Sequence, residues 1–516
     1  MSRRAASVNP WLIAAAVMSA TFMEVLDTTV VNVALPHIAG NLSASTSDAT
    51  WVLTSYLVAN AIVLPATAWF GSFFGRKRFL TVCIVIFTAA SGLCGIATSL
   101  PMLIGARILQ GAGGGALQPI SQAVLLESFP PERRGIAMAV YTLGIVVAPV
   151  LGPTIGGWMT DSYSWRWVFY INVPIGILAI LLTHVFIEDP PYIRSAARGR
   201  IDYVGFALLT IWIASLQIVL DKGQEADWLA STFICWLMVS AAVGLVAFVI
   251  WELRIDEPLV ALRLLGNHNF MVGTAVVTAF GAVAYGVTAL LPLFLQTLLG
   301  YPALQAGLVT SPRGLGSIAA MLAAGRLMGI IDGRVLIAAG FTAVAYSSAL
   351  LGGLNVAVAP SNVIWPAVIN GFGTALVFAP LATLTVATLR DEQLGNATGI
   401  FNLMRNLGGS IGIATVTTLL DRRSQMHAAL MVGHLGPSHA AYRTTLHALA
   451  GGLASKVGDV AGAGKAYALL YAELGRQARL WAFVDDFRLM AALAFLCVFS
   501  AVVFRRATSA RAVAVH

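Results

Sequence analysis

Five ionisable residues stand deep inside long apolar stretches of this sequence, where charged side chains are least expected. Glu24 and Asp27 share one stretch, and Arg107, Arg313 and Arg405 lie in three others. In a lipid bilayer such a group costs about 2.5 kcal/mol or more, which makes it a candidate for a functional site. The competing interpretation is an ion pair between helices that only fixes their packing.

The composition places these residues in a membrane. Of the 516 residues, 58% are hydrophobic and only 10% are charged, against about 25% in soluble proteins. This excludes an ordinary soluble enzyme, a nucleic-acid-binding protein and a disordered scaffold. A membrane helix needs about 20 apolar residues. Fourteen stretches qualify, and since none alternates with period 2, they predict an all-α integral membrane protein. They are roughly 11–36, 48–73, 79–97, 101–124, 135–160, 166–187, 201–220, 228–251, 268–296, 304–325, 335–353, 362–388, 395–420 and 487–504.

The distribution of Lys and Arg predicts the orientation, because these residues collect in cytoplasmic loops. With a cytoplasmic N-terminus, the inside loops hold more than half of the 31 basic residues, whereas the short outside loops hold only Arg166 and Lys222. Both termini are then cytoplasmic, which requires an even number of spans and agrees with fourteen. The net charge of +8 therefore indicates cytoplasmic loops, not a nucleic-acid partner.

The two carboxylates share a helix face because they are three residues apart. At about 1.5 Å per residue, Asp27 lies ~14 Å below the outer end of its span, Arg107 ~9 Å and Arg313 ~14 Å below theirs. Depth therefore permits pairing of Asp27 with either arginine. Two desolvated carboxylates resist being ionised together. We expect one of them to load and release a proton as an arginine approaches and withdraws.

Two polar segments divide the chain. Residues 188–200 predict a cytoplasmic linker after six spans, and residues 421–485 predict the only long outside loop. Similar turns at 71–76 and 329–334 indicate two six-helix halves if spans 7 and 8 are an insert. The predicted organisation is a first half at 1–187, the linker, two extra helices at 201–251, a second half at 252–504 and a cytoplasmic tail at 505–516.

Nothing in the sequence predicts an enzyme, a cofactor or a metal site. The four cysteines lack metal-ligand spacing, and no GxxxxGK[ST] phosphate loop is present. A membrane-embedded hydrolase would need a serine with its base, or a metal site, at membrane depth. A passive channel would need rings of like charge or a repeated filter segment. The sequence contains neither.

Four stretches together resemble the fourteen-span drug/proton antiporters of the major facilitator superfamily, most closely the EmrB type. The likeness runs from Trp11 to about Leu420. Its motifs are residues 26–36 in the first span, 107–111 in the fourth, 152–157 in the fifth and 165–176 in the sixth. The resemblance implies the major facilitator fold, with 14 transmembrane helices arranged as 6+2+6, and proton-driven multidrug export across a bacterial inner membrane.

The resemblance also implies roles for particular residues. Asp27 would be a proton or cation site and Arg107 would assist proton coupling. Glu24 lies just outside the motif, so its place in the proton site is inferred from its position alone. The exchange pathway would include Gly152, Pro153, Gly156 and Gly157, whose small residues permit close helix contact; a static helix crossing is the alternative. Candidates for a substrate cavity are Asn32, Gln110, Arg313 and Arg405.

Two regions qualify the resemblance. The loop between spans 2 and 3 lacks the family's acidic residue, since Ser72 and Phe73 precede Gly75, Arg76 and Lys77. This puts the family's charge latch in doubt. In the family, a long final outside loop occurs in members that work with a periplasmic adaptor and an outer-membrane channel.

Two amphipathic helices are predicted inside the outside loop, and they would either pack only on each other or contact the adaptor. The predicted adaptor contacts are Tyr467, Tyr471 and Trp481. Export of one metabolite, such as a siderophore or an antibiotic, is the competing function of the same class.

Overall fold

The structure is a computed structural model that describes residues 9–130, 133–189, 202–255, 258–328, 330–390, 393–433, 435, 439–457 and 459–505. Throughout these residues the chain forms helices and no strands, which confirms the all-α prediction. Most of the predicted linker and tail, and Gly329 of the predicted repeat, lie outside the described residues.

Fourteen long helical segments in the described ranges follow the fourteen apolar stretches in order. They are α1 (Pro10–Asn41), α2 (Trp51–Phe74), α3 (Arg76–Gly95), α4 (Leu100–Gly114 and Leu117–Ser128), α5 (Arg134–Ser162), α6 (Trp167–Tyr170 and Asn172–Phe186), α7 (Tyr203–Lys222), α8 (Thr232–Arg254), α9 (His268–Leu293, continued by a π-helical turn Phe294–Leu298), α10 (Ala303–Thr310 and Arg313–Leu327), α11 (Gly333–Leu351), α12 (Ser361–Val386), α13 (Leu394–Val432) and α14 (Asp459–Val498 and Ser500–Val503). Shorter helices are Thr46–Ala49, Trp228–Ala230, Leu262–Gly266 and Ala440–Val457.

Length and composition qualify nine of the described helices as membrane spans. The apolar segment Trp51–Thr67 is shorter. The count of fourteen spans therefore stays a prediction, with which the order of helices agrees.

The helix contacts repeat between the two ends of the chain. In the first six helices, α1 packs on α5 and α6, α4 packs on α2 and α3, and α3 packs on α6. In the last six, α9 packs on α13 and α14, α12 packs on α10 and α11, and α11 packs on α14. Each pair in the first set has its counterpart eight helices later in the second. Contacts of α2 with α13 and of α5 with α10 join the sets.

The helix pair α7 and α8 lies beside the junction of α2 and α13. Helix α7 packs on α8, α2 and α13. Asp221 accepts a hydrogen bond from Thr54 of α2, and Gln217 exchanges hydrogen bonds of 2.9 and 3.1 Å with Ser410 of α13. Helix α7 therefore contacts both six-helix sets.

The predicted outside loop is largely helical. Helix α13 continues to Val432, the helix Ala440–Val457 follows, and α14 begins at Asp459. Ala440–Val457 packs along α14. We call residues 421–485 the outer hairpin. The two amphipathic helices predicted inside this segment correspond to Ala440–Val457 and the first part of α14.

The small residues of α5 let this helix lie directly on α1. A Cβ atom at Gly152 would stand 2.6 Å from Cβ of Thr29, and one at Gly156 would stand 3.0 Å from the backbone oxygen of Val30. A Cβ at Gly157 would meet its nearest neighbour, Val33, at 3.9 Å. Pro153 lies within the same helix. The crossing is therefore closest at Gly152 and Gly156, and it lies within the first six helices.

These distances predict unequal effects of alanine. Gly152→Ala should destabilise the folded protein by about 1–3 kcal/mol, because the added methyl group overpacks the crossing at Thr29. Gly157→Ala is the matched control and should be nearly neutral, since its methyl group meets only ordinary contact distances. Thermal unfolding of the purified proteins in one detergent measures both. Equal melting temperatures for the two variants would contradict the crossing described here.

Candidate functional site

Asp27 lies in a polar cluster that is closed to solvent. Its Oδ2 accepts from Nη1 of Arg107 at 2.6 Å. Its Oδ1 accepts from Nε2 of Gln110 at 2.9 Å and from Nδ2 of Asn172 at 2.7 Å. All four side chains are 0% exposed. The carboxylate is thus held by one cation and two amides, which is the condition under which a buried charge is tolerated.

Arg107 is fixed in several directions at once. Besides Asp27, its Nη1 donates to Oε1 of Gln110 at 2.8 Å, and its Nε donates to the backbone oxygen of Val52 at 3.0 Å. Its guanidinium carbon lies 4.1 Å from the centroid of the Tyr56 ring. A planar, forked cation can satisfy such separated partners, whereas an ammonium group cannot.

Close packing of α4 on α2 brings these groups together. A Cβ atom at Gly111 would collide with the backbone oxygen of Tyr56, and one at Gly115 would collide with that of Asn60. Only residues without a side chain permit this approach. The glycines of α4 therefore allow its close contact with α2. Arg107 lies on one side of this contact and Gln118 on the other.

Glu24 has surroundings of its own, although it shares a helix face with Asp27. It is 5% exposed. Its Oε1 accepts from Nδ2 of Asn60 at 3.3 Å, and its Oε2 accepts from Nε2 of Gln118 at 2.7 Å. Its partners in the described chain are neutral amides, in contrast to the arginine that faces Asp27. The two carboxylates are therefore separate sites.

The structure decides between the two arginines that depth allowed for Asp27. Arg107 forms the ion pair, whereas Arg313 donates to the hydroxyl of Thr288 on α9. Arg405 is 5% exposed and donates from Nη2 to Oε1 of Gln118 at 2.5 Å.

Two of the predicted cavity residues, Gln110 and Asn32, differ in their surroundings. Gln110 does not line an open cavity, because its amide is buried within the Asp27 cluster. Asn32 is exposed and donates to the backbone oxygen of Thr28 at 3.0 Å, so it is not brought to the cluster. For Arg313 and Arg405, a position in the substrate cavity stays a prediction.

The apolar stripe in the last part of the outer hairpin divides between two environments. Leu474 and Ala478 are 8% and 0% exposed. Tyr467 and Tyr471 are 55% and 75% exposed, and Trp481 is 44% exposed with its ring 6.4 Å from that of His427. The predicted internal packing and the predicted exposed aromatic surface therefore occur together on one helix.

A carboxylate from elsewhere in the chain occupies the α2–α3 turn that lacks its family acid. The backbone nitrogen of Lys77 donates to Oδ1 of Asp189 at 2.8 Å, and Arg76 forms an ion pair with Glu127. Gly75 adopts φ +87°, a conformation that favours glycine, and a Cβ there would stand 2.8 Å from Oδ2 of Asp189.

Comparison with known proteins gives this arrangement its family. The Major Facilitator Superfamily model matches residues 17–413, which include the Asp27 cluster. The chain belongs to the major facilitator superfamily. Like other members, it is a multi-pass membrane protein of a transporter family.

Two relatives within this superfamily are similar over most of the chain. The fatty acid resistance protein FarB of Neisseria gonorrhoeae is 41% identical over 438 residues, 85% of each chain. The multidrug export protein EmrB of Escherichia coli is 40% identical over 421 residues, 81% of each chain. These matches confirm the EmrB-type resemblance. The human organic anion transporter MFSD10 superposes with a TM-score of 0.60 at 14% identity, over 94% of this chain and 99% of its own, which shows the fold.

Sequence analysis of this family member missed the neutral partners of the charges. Asn60, Ser91 and Gln118 belong to no predicted site, and Asn172 lies only within the motif at 165–176, whereas Gln110 is a predicted cavity residue. Ser91 accepts from Gln110 at 2.7 Å and from Asn172 at 2.9 Å. Amide side chains inside apolar stretches are the signal that would have found most of them, since such groups need partners at membrane depth.

The geometry of Arg107 predicts that lysine cannot replace it. Arg107→Lys keeps the charge but loses at least one of the bonds to Val52 and Gln110, each worth roughly 1.5–3 kcal/mol when charge-assisted. We expect at least a tenfold loss of proton-coupled transport and a lower melting temperature. The exposed Arg476→Lys is the matched control. Wild-type transport by Arg107→Lys would show that charge alone is needed.

Proposed function

We propose that this protein exports lipophilic small molecules in exchange for protons. The observation that carries the proposal is the Asp27–Arg107 ion pair, in which both side chains are 0% exposed inside an apolar helix bundle. A carboxylate in that position can be neutralised by one proton, and the relative named as a multidrug export protein supports drugs as the exchanged cargo.

The cluster suggests how a proton acts in this exchange. With Asp27 ionised, Arg107 and two amides hold α1, α4 and α6 together. A proton on Asp27 removes the charge that Arg107 pairs with, and leaves a buried cation uncompensated. Helix positions that relieve this cost become favourable, for example by exposing Arg107 to water. Deprotonation towards the cytoplasm restores the pair.

A second candidate cargo is a lipophilic carboxylate, exported as a dedicated substrate. Predicted spans 9 to 14 contain no Asp or Glu, while Arg313 and Arg405 have hydroxyl and amide partners among the described residues. An anionic head group would compensate either cation. The relative named as a fatty acid resistance protein supports this alternative.

The cellular setting is part of the proposal. The bias of Lys and Arg supports an inner-membrane protein with both termini in the cytoplasm. The repeated helix contacts support two six-helix halves with α7 and α8 as an insert. The outer hairpin, with Tyr467, Tyr471 and Trp481 on its exposed side, would bind a periplasmic adaptor that leads to an outer-membrane channel. The protein acts as a transporter in this scheme and catalyses no covalent chemistry.

Transport in inside-out vesicles tests the central proposal. With an acidic lumen, the wild-type protein should accumulate a lipophilic dye, and adding the dye should release protons from the lumen. Asp27→Asn should lower accumulation at least tenfold because the exchangeable charge is gone. Asp161→Asn, at a carboxylate whose side chain is 77% exposed, is the control and should transport normally.

Asp27→Asn strands the Arg107 charge, which costs roughly 3–5 kcal/mol in a buried pair. The double variant Asp27→Asn/Arg107→Gln avoids this cost and should also lack gradient-driven transport. Normal gradient-driven accumulation by either folded variant would disprove the role of Asp27. A fatty acid anion tested beside the dye distinguishes the two cargo classes.

The outer hairpin gives a separate test. Replacing Tyr467, Tyr471 and Trp481 by alanine should preserve dye transport in vesicles but abolish drug resistance in a double-membraned cell and copurification of the adaptor, because aromatic anchors dominate binding energy. The control replaces the exposed Arg443 and His447 of the neighbouring hairpin helix by alanine. Retained resistance and adaptor binding in the aromatic variant would rule out this surface as the docking site.

A further inference from the structure

A hydrogen-bonded chain joins Glu24 in the first six helices to Arg405 in the last six. Gln118 of α4 stands between them. Its Nε2 donates to Oε2 of Glu24 at 2.7 Å, and its Oε1 accepts from Nη2 of Arg405 at 2.5 Å. Both polar atoms of the Gln118 amide thus bond to charged side chains. One of these, Glu24, belongs to the first six helices, and the other, Arg405, belongs to the last six.

The amide has little freedom to turn. Glu24 is 5% and Arg405 is 5% exposed, and the guanidinium carbon of Arg405 lies 5.4 Å from the centroid of the Phe378 ring. Reversing the Gln118 amide would place its NH₂ group against the arginine donor and its oxygen against the ionised carboxylate. The ionised form of Glu24 and Arg405 therefore specify a single orientation.

Among the described residues, Asp27 has no comparable link to the last six helices. The partners found for it, Arg107, Gln110 and Asn172, all belong to α4 and α6 of the first six helices. A change in its charge acts first inside that set. Glu24, by contrast, is joined through Gln118 to Arg405 in the other set.

A neutral contact between the same two helices lies beside this link and involves a single hydrogen bond. Gln122, one turn after Gln118, accepts at Oε1 from Nδ2 of Asn402 at 2.8 Å. Asn402 precedes Arg405 by three residues on α13, so the two contacts are neighbours on the same pair of helices. The neutral contact provides a control for packing alone.

We propose that Gln118 is a positioning residue that couples the protonation of Glu24 to the contact between α4 and α13. With Glu24 ionised, the amide is held between opposite charges and the contact stays closed. When Oε2 of Glu24 takes a proton, the attraction transmitted through the amide is lost, and α4 and α13 can separate. This inference rests on the proposed proton-coupled export and assigns the two carboxylates different tasks.

Among the described residues, charged or titratable groups near Glu24 lie on five helices. Asp27 lies on its own helix, Tyr56 on α2, Arg107 on α4, Tyr141 on α5 and Arg405 on α13. Arg107 is already paired with Asp27. Arg405 is therefore the cation whose attraction changes when Glu24 gains a proton.

Distance measurements across a pH series test the coupling. In a variant lacking the four native cysteines, spin labels at Arg133 and Ala387 report the separation of α5 and α12 at their cytoplasmic ends, and labels at Thr98 and Ala359 report the outer loops. In the wild type, lowering the pH should shift population from one separation to another with a defined midpoint. Glu24→Gln should shift the population towards the low-pH separation at neutral pH, whatever change the titration of Asp27 adds.

Gln118→Met keeps the length of the side chain but removes both hydrogen bonds, so its distances should match those of Glu24→Gln at every pH. Arg405→Gln removes the charge at the other end of the hydrogen-bonded chain and should have the same effect on the distances. It replaces Gln118→Met in the test if the methionine variant does not fold. Gln122→Met is the control and should keep the wild-type midpoint. Melting temperatures confirm that each variant is folded.

A wild-type midpoint in folded Gln118→Met, or an equal shift of the distances in Gln122→Met, would overturn the coupling role. Vesicle transport by the wild type separates this outcome from failure of the proposed function. If the wild type exchanges protons for the dye while Gln118→Met keeps the wild-type midpoint, only the role of Gln118 fails. If the wild type exchanges nothing, the proposed function fails whatever the distances show.

Discussion

The requirement that a buried charge be compensated governs the arrangement of the first six helices. Asp27 and Arg107 are both 0% exposed, and neither is tolerated in such surroundings without partners. Satisfying them draws on α1, α2, α4 and α6 through the 2.6 Å ion pair, the Val52 carbonyl and the amide of Asn172. The glycines of α4 serve the same requirement, since α4 must approach α2 closely for Arg107 to reach the Val52 carbonyl.

The two ends of the chain repeat their helix contacts but not their chemistry. The carboxylates at membrane depth lie on α1, while the cations without a described carboxylate partner lie on α10 and α13. Opposite charges therefore face each other across the contact between the sets. Because the effective dielectric constant is low there, a single proton changes their attraction far more than it would at a surface.

Much of this was predictable from local sequence. The apolar stretches gave the helices, and the position of Asp27 relative to its span end limited its partner to two arginines. Choosing Arg107 over Arg313 required the three-dimensional packing of α4 on α2, which depends on Gly111 and Gly115. The partner roles of Gln118 and Asn172 could not be predicted because a neutral amide carries no charge that demands a partner of opposite sign. In the outer hairpin, the apolar periodicity correctly indicated two helices.

The separation of Glu24 from Asp27 shows what helix periodicity alone leaves open. Three residues apart, they share a face, and mutual repulsion is the natural expectation. Their environments differ because α4 passes between different neighbours on either side of its glycine contact with α2. Above it Arg107 reaches Asp27, and below it Gln118 reaches Glu24. Asp27 thereby lies in a cluster formed within the first six helices, and Glu24 is linked through Gln118 to Arg405 of the last six. A single helix face can hold two different carboxylate environments because a neighbouring helix supplies a cation to one carboxylate and an amide to the other.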